Sequence, residues 1–94
     1  MIVSRMMFEL KVVEGYSMKD RRKVEKGISE SLAKRFNISI VIDRDDYPVN
    51  LFTLYIAQVN KSLTELDRTY EKILQLLLSR VDIELVKTEF ETLN

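Results

Sequence analysis

The chain has no cysteine and no histidine. Without cysteine there is no disulfide framework, no thiolate nucleophile and no zinc knuckle. Without histidine the commonest general base and the commonest transition-metal ligand are missing. Glycine occurs 2 times and proline once in 94 residues, which excludes collagen-like and loop-dominated classes. Long uncharged runs are missing too. The apolar start, MIVSRMMFELKVVE, is interrupted by Arg5, Glu9 and Lys11. It reads as neither signal peptide nor membrane span, and the expected setting is the cytoplasm.

What is present is an ordinary globular composition, with 46% hydrophobic and 32% charged residues. The length suits one domain, residues 1–94, with one core. So small a domain buries about 60–65% of its unfolded surface, and oligomerisation is a reasonable way to add stability. Net charge is zero but uneven. Residues 1–36 hold 9 Lys/Arg against 5 Asp/Glu, a net of +4; residues 37–94 hold 6 against 10, a net of −4. Folding either keeps a basic and an acidic surface or mixes the halves and cancels them.

Residues 2–13 alternate with period two. Ile2, Met6, Phe8, Leu10 and Val12 fall on one face, with Ser4 the exception; Val3, Arg5, Met7, Glu9, Lys11 and Val13 fall on the other. This predicts a strand with one buried face, ended by Glu14-Gly15. Tyr16–Phe36 reads as a helix with the densest positive charge in the chain. Ser17 is its N-cap and Asp20, three residues on, completes a capping-box pattern. Val24, Ile28, Leu32 and Phe36 make a narrow apolar stripe with Met18 at its edge. Gly27 lies off that stripe, and Asn37 is the expected left-handed stop. Arg21 turns toward the sheet and reads as a structural, paired arginine.

Residues 38–43 form a β-branched second strand. Asp45, Asp46, Pro48 and Asn50 read as a turn. Residues 51–59 are apolar on both faces, with Phe52, Leu54 and Ile56 opposite Leu51, Tyr55, Ala57 and Val59. That fits a central strand. Ser62 to Glu65 is a capping box. The helix after it carries Leu63, Leu66, Tyr70, Ile73, Leu74, Leu77, Leu78 and Val81 in one core-facing arc, with Leu76 outside it. Residues 83–92 read as the last strand. The order β-α-β-β-α-β, with two right-handed crossovers, predicts a ferredoxin-like sandwich. Its four-stranded antiparallel sheet has both helices on one face.

No catalytic constellation stands out. Asp43, Asp45 and Asp46 do not match a calcium-loop spacing and read as a polar turn. The tyrosines make no aromatic pair of the kind that stacks single-stranded RNA on adjacent central strands. No phosphate loop or zinc spacing is present, so no cofactor or metal is assigned.

Two surfaces invite partners. Lys19, Arg22 and Lys26 form an outward stripe flanked by Lys23 and Lys34. Cations at a helix N-terminus oppose the macrodipole, and phosphate offsets that. The alternative is a solvated helix face paired in part with Glu25 and Glu30. The uncovered sheet face should show Val3, Met7, Val13, Leu51, Tyr55, Ala57 and Val59, a candidate homodimer interface.

Ser17-Met18-Lys19-Asp20-Arg21-Arg22, set between a strand and a basic helix, resembles the S-L-K-E/D-K-R signature of the YlxP-like family of small bacterial proteins of unknown function. Met1-Ile2-Val3, Arg35-Phe36-Asn37, Val59-Asn60 and Glu84-Leu85-Val86 are similar as well, so the resemblance spans the chain. It implies a ferredoxin-like fold and bacterial origin. Family genes lie among those for transcription and translation factors, beside a ribosome-binding factor, which implies ribosome or RNA work. Ser17, Lys19, Arg21 and Arg22 carry the motif. The chain departs from the family pattern at Ile42, Val49-Asn50 and Tyr55. The expectation is a non-enzymatic module associated with RNA or the ribosome. The second reading is a protein-interaction module that homo-oligomerises through its open sheet face.

Overall fold

β1 spans Ile2–Val12, and its alternation settles the architecture. In the computed structural model, which describes residues 1–13, 17–44 and 50–93, Met6, Phe8, Leu10 and Val12 are all buried on one face. β1 pairs antiparallel with β3 (Leu51–Asn60) on one side and β4 (Ile83–Leu93) on the other. β2 (Ser39–Asp43) pairs antiparallel with β3, and the sheet order is β2-β3-β1-β4. This is a ferredoxin-like α+β arrangement. As the sequence predicts for residues 51–59, β3 is central, and β1 is the other central strand.

The helices are α1 (Met18–Arg35) and α2 (Leu63–Leu78). Both caps form. Ser17 Oγ accepts the Asp20 N–H at 3.1 Å and donates to Asp20 Oδ2 at 2.6 Å. Ser62 Oγ accepts the Glu65 N–H at 3.3 Å. The expected reciprocal arm of that second box is replaced: the Ser62 N–H goes to Asn60 Oδ1 at 2.9 Å, and Glu65 turns to Arg68 at 2.7 Å. α1 stops at Arg35. Phe36 is already extended, and its N–H reaches Leu32 O at 2.9 Å.

The core lies between helices and sheet, with Ile28 and Leu32 of α1 and Ile73 and Leu77 of α2 against Phe8, Phe52, Leu54 and Ile56. Tyr70 ties α2 down. It stacks between Phe8, at 5.7 Å, and Phe90, at 4.7 Å, and its hydroxyl bonds Thr88 at 2.9 Å. A partly buried Tyr keeps its hydroxyl satisfied this way.

The expected arc on α2 needs correction. Leu63, Leu78 and Val81 are exposed, Val81 by 93%. Leu76, read as outside the arc, packs against the core. Helical period fixes relative angles, but the neighbour decides which flank is covered. Here α1 lies along the Leu76 flank, since Leu76 shares a depression with Arg35 and Phe36. β4 contains an irregularity that leaves Val86 without a partner in the β1 register and exposed; such an extra residue marks a bulge. Four expectations lie outside what is described: the Glu14-Gly15 strand end, the first residue of the Tyr16–Phe36 stretch, the place of the Met18 side chain at the edge of the α1 stripe, and the turn at Asp45, Asp46 and Pro48.

Candidate nucleic-acid interface

α1 divides its charged residues by angle. Lys19, Arg22, Lys23 and Lys26 are all exposed. Lys26 makes a loose pair with Glu30 at 3.9 Å, between side chains more than half exposed. Such pairs contribute little. Among the described residues, Lys19, Arg22 and Lys23 have no carboxylate within ion-pairing distance. Lys19 stands in the first turn, where the helix dipole disfavours a cation, and Arg22 and Lys23 follow in the next turn.

Arg21 points the other way and is fully buried. Its Nε stands 3.9 Å from Glu25 Oε2, one turn on. Glu25 is buried as well, and Arg44, just past the end of β2, donates from Nε to both of its oxygens, at 2.6 and 2.9 Å. The hydrogen bond and the charge of Glu25 raise the Arg44 guanidinium above its ordinary value. So the family-type motif splits: Lys19 and Arg22 face solvent, while Arg21 joins a buried charge cluster. The sequence reading placed Arg21 correctly but set Glu25 beside the outward stripe. A signal existed. Glu25 follows Arg21 at i+4, on the same inward side of the helix. Arg44 gave none, since 19 residues separate it from Glu25.

The open sheet face is organised in cross-strand rows. Val41, Tyr55 and Met7 form one; Val59, Val3 and Leu93 form another; between them run Ser39, Ala57, Arg5 and Glu91. Arg5 pairs with Glu91 at 3.5 Å. Val41, Val59 and Leu93 are well exposed, at 63%, 56% and 56%, while Val3 and Tyr55 are just over a third exposed. Met7 is a correction. It lies on this face but is 8% exposed, because its register partners Tyr55 and Glu89 flank it in the middle of the sheet. Val13 and Leu51 are half-buried.

The charge asymmetry of the sequence survives folding. α1 exposes Lys19, Arg22, Lys23, Lys26, Lys34 and Arg35 against Asp20 and Glu30; β4 exposes Glu84, Glu89 and Glu91 against Lys87. The α1 surface is basic, and the β4 surface is acidic. A chain of zero net charge can still steer a polyanion to one face. No helix among the described residues is long and apolar enough to cross a membrane.

Residues 3–90 match the model of a family described as a protein of unknown function (DUF503). No curated protein matches the sequence. Among solved structures, the structural-genomics protein YJCS is similar at TM-score 0.66 and 12% identity, with 98% of this chain and 99% of that one covered. The de novo designed protein Foldit4 is similar at TM-score 0.56 and 16% identity, covering 99% and 96%. SnoaB, a cofactor-independent oxygenase from Streptomyces nogalater, is similar at TM-score 0.56 and 10% identity, covering 98% and 91%. At these identities the likeness shows the fold alone, and function has to be argued from the site.

Proposed function

Since the chain belongs to the DUF503 family, whose function is unknown, we propose its role from its surface: a non-enzymatic, YlxP-like bacterial module of the cytoplasm that binds RNA or the ribosome through the first turns of α1. The observation that carries this reading is the set of exposed cations Lys19, Arg22 and Lys23 without carboxylate partners among the described residues. Lys19, in the first turn, is placed where the helix dipole costs it about 0.3–1 kcal/mol. A phosphate backbone reverses that cost, releases counterions and makes affinity steeply salt-dependent. The split of the motif supports the same reading, since buried Arg21 steadies the turn that presents Lys19 and Arg22. Retention of total RNA on a filter by wild type against Lys19/Arg22/Lys26→Ala tests it.

A second reading rests on the exposed rows Val41–Tyr55 and Val59–Val3–Leu93. They make the open sheet face a surface on which two copies pack, which is compatible with RNA binding by the helices on the other side. Enzymatic work is not proposed. SnoaB is an oxygenase on a similar fold, but this chain has neither His nor Cys to supply the usual acid–base or nucleophilic chemistry.

A further inference from the structure

α1 and α2 run antiparallel with a trough between them. The Phe36 end of α1 faces Lys72 and Leu76, and the middle of α1 faces Arg80, just past α2. Two depressions, about 420 and about 200 Å³, share Arg35 and Leu76 and so join into one trough. Phe36 and Leu76 give it an apolar floor. Its rim is basic. Arg68 and Arg80 are held by Glu65 and Asp82, but Arg35 and Lys72 have no carboxylate partner among the described residues, where Glu71 is the one acid lining the trough. Gly27 borders the Arg80 end. A Cβ built there meets nothing nearer than Arg80 Nη2 at 4.0 Å. The fold therefore has room for alanine, which the helix would favour by about 1 kcal/mol.

We propose that this trough docks a segment of a partner protein that carries apolar side chains flanked by carboxylates. The apolar side chains cover Phe36 and Leu76, the carboxylates meet Arg35 and Lys72, and bare Gly27 lets the partner backbone approach closely. Charge complementarity selects the acidic flanks. The floor selects against nucleic acid, because a phosphate gains nothing from Phe36 and Leu76 and loses hydration over them. This surface is separate from the Lys19–Arg22 stripe, so the proposal stands whether or not the protein binds RNA.

The test is an amide NMR titration with a short blocked peptide of leucine and glutamate. Its lysine-for-glutamate and serine-for-leucine counterparts and oligouridylate serve as controls. The leucine–glutamate peptide should give saturable shifts at Phe36, Lys72, Gln75 and Leu76. Its affinity should fall at least about tenfold, equivalent to about 1.4 kcal/mol, in Arg35→Gln/Lys72→Gln. It should also fall in Gly27→Ala, although that variant melts higher than wild type. No saturable shift at these amides, equal shifts with the lysine peptide or with oligouridylate, or affinity unchanged in both variants would overturn the proposal.

Discussion

Arg44 grips Glu25 from across the fold, its Nε 2.6 and 2.9 Å from the two carboxylate oxygens, and thereby fastens the end of β2 to the middle of α1. Glu25 is buried, with buried Arg21 on the same carboxylate at 3.9 Å. Arg21 and Glu25 share charge away from water, Arg44 meets them from the solvent side, and this cluster holds the first turns of α1 in place.

Removing the centre of that cluster should hurt most. Glu25→Gln keeps the shape but takes the counter-charge from a buried arginine, and breaking a buried pair costs about 3–5 kcal/mol. Arg44→Ala should cost about 1 kcal/mol, since its side chain is 40% exposed and its pairing is partly screened. Urea denaturation of both variants checks the order. Equal costs would mean that Glu25 is not the hub.

Gly27→Ala should stabilise the chain by up to about 1 kcal/mol, because the site is helical and the new Cβ meets nothing nearer than 4.0 Å. For a domain of this size that raises Tm by about 4–8 °C, measurable by calorimetry. An unchanged or lower Tm would show that glycine is needed by the fold itself.

Asp82 gives a pH signature. Its hydrogen bonds from Arg80, at 3.0 and 2.8 Å, hold its carboxyl below the ordinary value of 3.8. A carboxyl with a lowered folded-state pKa adds stability above its unfolded pKa, and that stability disappears as pH falls through the folded value. Asp82→Asn should therefore be less stable than wild type at neutral pH. The gap should close as pH drops below about 3.8. Melting curves across that range check it; a gap constant with pH would exclude the charge as its cause.

The open sheet face predicts concentration-dependent association. Val59→Glu should shift sedimentation toward monomer, because it puts charge into the exposed Val59–Val3–Leu93 row. Val81→Glu, at a 93% exposed site in the connection between α2 and β4, should not. Wild type that stays monomeric at high concentration would remove the interface reading.

Much of this was legible in residue order. The period-two phase of β1 and β3, both N-caps and the inward turn of Arg21 follow from spacing, and they sufficed for the topology. What spacing could not reveal was contact between distant segments. Arg44 meets Glu25 only because β2 and α1 are neighbours in space. Leu76 is covered and Leu78 exposed because of where α1 lies. Met7 is covered because two other strands flank it. The candidate site shows the same limit: the stripe of Lys19, Arg22 and Lys26 can be read from the sequence, but the buried cluster beneath it needs the fold.

The central claim is that the first turns of α1 hold a phosphate backbone, and filter retention of total RNA against salt tests it most directly. Wild type should bind with a steep slope of log affinity against log salt. Lys19/Arg22/Lys26→Ala should bind more weakly, with that slope reduced by about 2, which is three single-strand contacts at about 0.7 each. Equal retention and equal slopes for the two proteins would contradict the account.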